Sequence, residues 1–88
     1  MANQVIKKDG TKEPFDAGKI RRAIEGAARD AELTEDQVSA TAGQVFDAVM
    51  ALAGGKEEIA TAELKEKILS ELDKVQPAVA EAWRKYNA

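Results

Sequence analysis

The sequence predicts an α+β domain: a four-helix bundle capped at one end by a small β-hairpin or three-stranded sheet. Three observations predict it. Two short extended segments flank Asp9-Gly10. Apolar residues recur at helical spacing in four later stretches. The connections are short, with no repeat, linker or low-complexity tract, so residues 1–88 read as one domain.

Residues 4–8 and 11–15 are the arms of the hairpin. Asp-Gly between them signals a two-residue type I′ turn, with positive φ at both central positions. A lone hairpin is unstable in water, so this one must pack on something. Asp16 caps the first helix, its carboxylate placed to accept from backbone N–H groups two or three residues on. Ile20, Ile24, Ala27 and Ala31 form the stripe of that helix, with Ala23 and Ala28 beside them. Thr34 with Gln37 three residues later is a capping box. Val38, Ala42, Val45, Val49 and Leu52 follow, joined by Phe46, and Gly54-Gly55 stops this helix. Residues 57–60, around Ile59, are a candidate third strand beside the hairpin, and Thr61 is the next expected N-cap. Leu64, Ile68, Leu69, Leu72 and Val75 are the third stripe. Pro77 fits the first turn of a fourth helix, whose apolar side is Val79, Ala80, Trp83 and Tyr86.

Composition removes most catalytic chemistry. There is no cysteine and no histidine, hence no thiol nucleophile and neither of the two commonest transition-metal ligands. Ser39 and Ser70 fall inside helical segments, which disfavours a serine hydrolase. Neither GxxxxGK[ST] nor GxGxxG occurs, and Gly54-Gly55-Lys56 reads as a helix stop. The carboxylates read as solvated helix faces, so an enzyme is not expected and no metal ligands are assigned. No apolar run approaches ~18 residues and no signal peptide is visible, which makes the cytoplasm the expected location and a membrane no partner.

Charge is uneven. The formal net charge is -3, yet residues 1–29 carry seven Lys/Arg against four Asp/Glu (+3), and residues 30–88 carry six against twelve (-6). A basic end on an acidic body suits a small anionic ligand. Duplex nucleic acid would meet repulsion beyond the patch and is an unlikely partner.

Phosphate binding needs fixed cations and backbone N–H groups, and helix N-termini supply the second. The hairpin offers Lys7 and Lys8; the first helix offers its start, near Asp16, and Lys19 one turn in. If the third strand pairs with the hairpin, the Thr61 hydroxyl and Lys65 arrive at the same end. Val5 and Lys7 share one strand face, Ile6 and Lys8 the other, so at most one of the adjacent lysines faces the helices. Glu13 is placed for a cross-strand pair with Lys7 or Lys8. Lys12 reads as solvated. Trp83 and Tyr86 read as core and rim of the last helix rather than as stackers for a ligand ring, and their side is the expected dimer surface.

Val5-Ile6-Lys7-Lys8-Asp9-Gly10, then Glu13-Pro14-Phe15 and Lys19-Ile20, resemble the opening of the ATP-cone domain, V-x-K-R-D-G, E-x-F and a helix with K-I. Residues 59–64, IATAEL, are similar to its T-x-E-I/L element, and residues 79–86, VAEAWRKY, to its closing helix. The resemblance covers essentially the whole chain. It implies a regulatory nucleotide-binding domain of four helices and a β cap, found in ribonucleotide reductases, where ATP and dATP compete, and in the repressor of reductase genes behind a zinc ribbon. It implies ATP or dATP with Mg²⁺ as the ligand, bound without hydrolysis as a function. Carried onto this sequence, it implies Lys7, Lys8 and Lys19 on the phosphates, with Val5 near base or ribose. Glu13 would lie in the covering arm, suited to a ribose hydroxyl as well as to the cross-strand pair, with Asp16 at the helix start and Thr61 near the base. Lys65 stands where the family often has His. Lys8 replaces the family's Arg, so a point charge stands in place of a planar fork. No reductase domain follows and no Cys ribbon precedes, so the chain reads as a stand-alone cone acting through a reductase, its repressor or self-association. The other reading is a degenerate cone turned small interaction or dimerisation module.

Overall fold

The computed structural model describes residues 2–86. Its elements run β1 (Gln4–Ile6), β2 (Lys12–Pro14), α1 (Ala17–Asp30), α2 (Glu35–Gly54), β3 (Glu58–Ala60), α3 (Thr61–Val75) and α4 (Pro77–Tyr86). The fold is α+β, with four helices and one three-stranded sheet among the described residues.

The hairpin places β2 antiparallel to β1, with Val5 opposite Glu13 and Ile6 opposite Lys12. The expected third strand is present. It lies parallel to β1 on the other side, Val5 opposite Ile59 and Ile6 opposite Ala60, giving the order β2-β1-β3. The first residues fasten this sheet to the helices: Ala2 N–H donates to Ala53 C=O at 3.0 Å and Asn3 N–H to Glu57 C=O at 2.8 Å.

The turn differs from the expected type I′. Lys7 N–H donates to Thr11 C=O and Gly10 N–H to Lys7 C=O, which closes a three-residue loop, Lys8-Asp9-Gly10. Gly10 takes the left-handed conformation at φ 87°; among the described residues the one non-glycine with positive φ is Glu32. The reason is local. The Asp9 carboxylate accepts from both the Thr11 N–H (3.0 Å) and the Thr11 hydroxyl (2.6 Å), which holds Asp9 in an ordinary conformation.

Side-chain capping decides where α1 and α2 begin. Asp16 Oδ1 accepts from Lys19 N–H at 3.0 Å. Thr34 and Gln37 form the complete reciprocal box, at 3.2 and 3.0 Å. Helix α1 ends with Glu32 N–H donating to Arg29 C=O and Leu33 N–H to Ala28 C=O, a Schellman closure with Glu32 at φ 64° where glycine is usual.

The core joins one stripe from every helix to the sheet. Ile24, Ala28, Ala42, Val45, Val49, Ala53, Leu72, Val79 and Ala80 are completely buried, with Ile59 and Trp83 beside them. Helix α1 packs on α2 and α4, and α3 packs on the same two. Two stripe residues depart from expectation. Ala23 is exposed. Phe46 is half-buried, beneath the Arg21 guanidinium 5.6 Å from its ring centre. Trp83 is buried as core, and the expected rim position of Tyr86 lies outside the described side chains.

Candidate functional site

The sheet has two unlike faces because strand side chains alternate. Val5, Glu13 and Ile59 stand on the face that meets the helices, since Ile59 is buried and Val5 packs on the core. Ile6, Lys12, Ala60, Gln4, Pro14 and Glu58 stand on the outer face. Each face carries its own ion pair. On the inner face Lys7 Nζ meets Glu13 Oε1 at 3.0 Å; on the outer face Lys12 Nζ meets Glu58 Oε2 at 2.7 Å, reaching across β1.

In the free protein Glu13 makes the cross-strand pair. Of the two adjacent lysines, Lys7 pairs with Glu13, and both side chains remain 47 % exposed. The hydrogen bond that the Lys7 ammonium donates to Glu13, reinforced by the carboxylate's charge, raises the Lys7 pKa from its ordinary value. Lys8 has turned into the loop and is exposed. Lys12 is exposed, as expected, and pairs with Glu58.

Helix α3 begins where β3 ends, beside Ile6 and the hairpin. Thr61 is not its N-cap. The cap position is Ala60, with no side-chain hydrogen bond, and the Thr61 hydroxyl donates instead to Ile6 C=O at 3.3 Å. A threonine at the first helical position sits past the point from which it caps, and the adjacent strand offers a part-buried carbonyl. Thr61 thereby pins the start of α3 to β1. Lys65, one turn on, is exposed, as are Lys19 and Asp16 at the start of α1. Among the described residues Lys8, Lys19, Arg22, Lys65 and Lys85 have no carboxylate within 4.0 Å.

Arg22 is the cation that sequence reasoning passed over. Its Nη1 lies 3.1 Å from the point a Cβ on Gly18 would occupy. A side chain four residues on leans back over the preceding turn, and glycine there leaves the space. The signal was Gly18 followed four residues later by Arg22.

The structure therefore brings Val5, Lys7 and Glu13 onto one sheet face and ties Thr61 to the neighbouring strand. Lys8, Asp16, Lys19 and Lys65 stay exposed on the loop and helix starts around it. Two shallow clefts, of about 390 and 440 Å³, lie elsewhere: one between α1 and α4 at Ala31 and Ala82, the other on the outer sheet side at Gln4 and Glu58. Neither is lined by a predicted site residue. Among the described residues no group of three or more His, Cys, Asp or Glu is placed to hold a metal ion. None of the helices is long and apolar enough to cross a membrane.

Fold and sequence together define a small α+β domain that begins with a basic hairpin and ends in four packed helices. The family model for the ATP cone domain matches residues 3–88, and the chain belongs to the ATP-cone family. Curated relatives share the domain. The chain is 34% identical over 71 residues to the transcriptional repressor NrdR of Methylibium petroleiphilum, covering 81% of this chain and 47% of that one. It is 38% identical over 69 residues to the protein of the same name in Rhodopirellula baltica, covering 78% and 43%. The corresponding figures for the Treponema denticola protein are 36% over 68 residues, 77% and 45%. The chain thus spans less than half the length of these relatives. Their name corrects one expectation: relatives sharing this domain are repressors of transcription, so nucleic acid is not set aside as a partner on charge alone.

Proposed function

We propose that this chain binds an adenine nucleotide, ATP or dATP with Mg²⁺, as a non-catalytic regulatory domain. Its output is the supply of deoxynucleotides, reached through a reductase, a transcriptional repressor or self-association. Membership of the ATP-cone family over residues 3–88 carries this reading, and relatives named as repressors favour a role in gene regulation. In this reading Lys7, Lys8 and Lys19 meet the phosphates, with Lys65 beside them. Val5 faces base or ribose, Glu13 a ribose hydroxyl, and Asp16 and Thr61 hold the two helix starts. Mg²⁺ usually binds through phosphate oxygens and water with few protein carboxylates, so it would arrive on the nucleotide.

A ligand at a hundred times its dissociation constant stabilises the fold by about 2.7 kcal/mol. Melts with millimolar ATP or dATP should rise clearly above those without, and Lys7→Ala should remove much of the shift. Identical melts with every nucleotide refute the proposal.

One observation favours a second reading. Lys7 is already engaged by Glu13, and Lys8 lacks a planar fork. A degenerate cone serving as an interaction module would sediment as a constant oligomer indifferent to ATP; a nucleotide-dependent change of oligomer supports the first reading.

A further inference from the structure

The nucleotide-binding reading leaves the inner ion pair unexplained, and the inference rests on that reading. Lys7, the hairpin cation on the inner face, is occupied by an internal anion, Glu13 Oε1, at 3.0 Å. An incoming phosphate must take Lys7 from Glu13. An ion pair half open to water is worth little, so the exchange is easy; the freed carboxylate then needs new donors. A nucleotide brings donors in its ribose hydroxyls. A bare polyphosphate brings only acceptors and adds negative charge beside Glu13.

We propose that Glu13 is a selectivity residue: by pairing with Lys7 in the free protein it makes bare phosphate anions compete for the cation, and it yields to ligands that carry hydroxyl donors beside their phosphates. The outer pair, Lys12 with Glu58, is the internal comparison, because it has the same chemistry on the opposite face of the same sheet.

Calorimetric titration of the wild type, Glu13→Gln and Glu58→Gln with tripolyphosphate and with ATP tests this. Both variants remove one negative charge from the surface, so folding is preserved, which melting checks. Glu13→Gln should tighten tripolyphosphate about 2–5-fold, the worth of an exposed pair, and lower the ratio of ATP to tripolyphosphate affinity. Glu58→Gln should move both ligands alike and leave that ratio unchanged. The proposal is overturned if the two variants tighten tripolyphosphate equally, since net charge then explains it, or if Glu13→Gln leaves the ratio where it was. If the wild type binds neither ligand, the nucleotide reading itself fails; if it binds ATP and only the ratio stays fixed, the Glu13 assignment alone fails.

Discussion

Helices α2 and α3 begin in opposite ways. The start of α2 follows α1, away from the sheet, and is closed on itself: Thr34 and Gln37 exchange side-chain hydrogen bonds with the backbone. The start of α3 adjoins the sheet and has no side-chain cap; its threonine hydroxyl is turned to β1 instead. The first is stabilised locally. The second is stabilised by attachment, which leaves the donors of its first turn without a side-chain acceptor beside a basic hairpin.

The largest effect tests what the two starts share. Leu72 is completely buried in the core that α2 and α3 both enter. Leu72→Ala should cost about 2–5 kcal/mol by denaturant melting, whatever either cap does. Next, Thr34→Ala should cost about 0.5–2 kcal/mol and speed amide exchange in the first turn of α2. Thr61→Ala removes one part-buried bond, should cost about 0.5–1.5 kcal/mol, and should loosen the β1 seam rather than the helix. Equal exchange patterns in the two variants would erase the contrast. Ala60→Ser supplies the missing cap; it should gain stability by about 0.5 kcal/mol or more and, if ligand oxygens use that turn, weaken ATP binding.

The smallest effect is pH dependence. Hydrogen bonds from Thr11 hold the Asp9 pKa below its ordinary 3.8. Its stabilisation is therefore complete above the unfolded pKa and lost as pH falls through the folded one. Lys7 is raised above 10.5 by Glu13, so its contribution is present below that value and lost as pH rises through the folded pKa. Amide protection in the hairpin, taken relative to the intrinsic exchange rate at each pH, should fall at both extremes. Asp9→Asn should abolish the acid limb alone.

The same contrast explains what was legible in the sequence. Asp16, Thr34 with Gln37, Gly54-Gly55 and Pro77 act within three or four residues of themselves, and each marks its boundary as read. The third strand was visible through Ile59 and the segment lengths. Thr61 was misread because its true partner, the Ile6 carbonyl, is distant in sequence. The turn was misread because Asp9 answers to Thr11, outside the Asp-Gly pair. Arg22 was missed because its position depends on the empty space over Gly18. Of the candidate cations, Lys7, Lys8, Lys19 and Lys65 were named from the sequence and Arg22 was not. The choice between Lys7 and Lys8 as the partner of Glu13 awaited the register of the strands.

The parallel pairing of β1 with β3 has a kinetic consequence. Val5 meets Glu13 through a loop of a few residues, but it meets Ile59 only after α1 and α2 have been laid between them. Closing that long loop costs chain entropy before any contact repays it, so contacts of this kind form late in folding. The side-chain caps of α1 and α2 are local and can form before it; the seam that brings Thr61 to Ile6 must wait for the long loop to close. A ligand bound across that seam would act as a staple on a joint of high loop-closure cost, and its presence would be felt as a change in how long the chain stays closed.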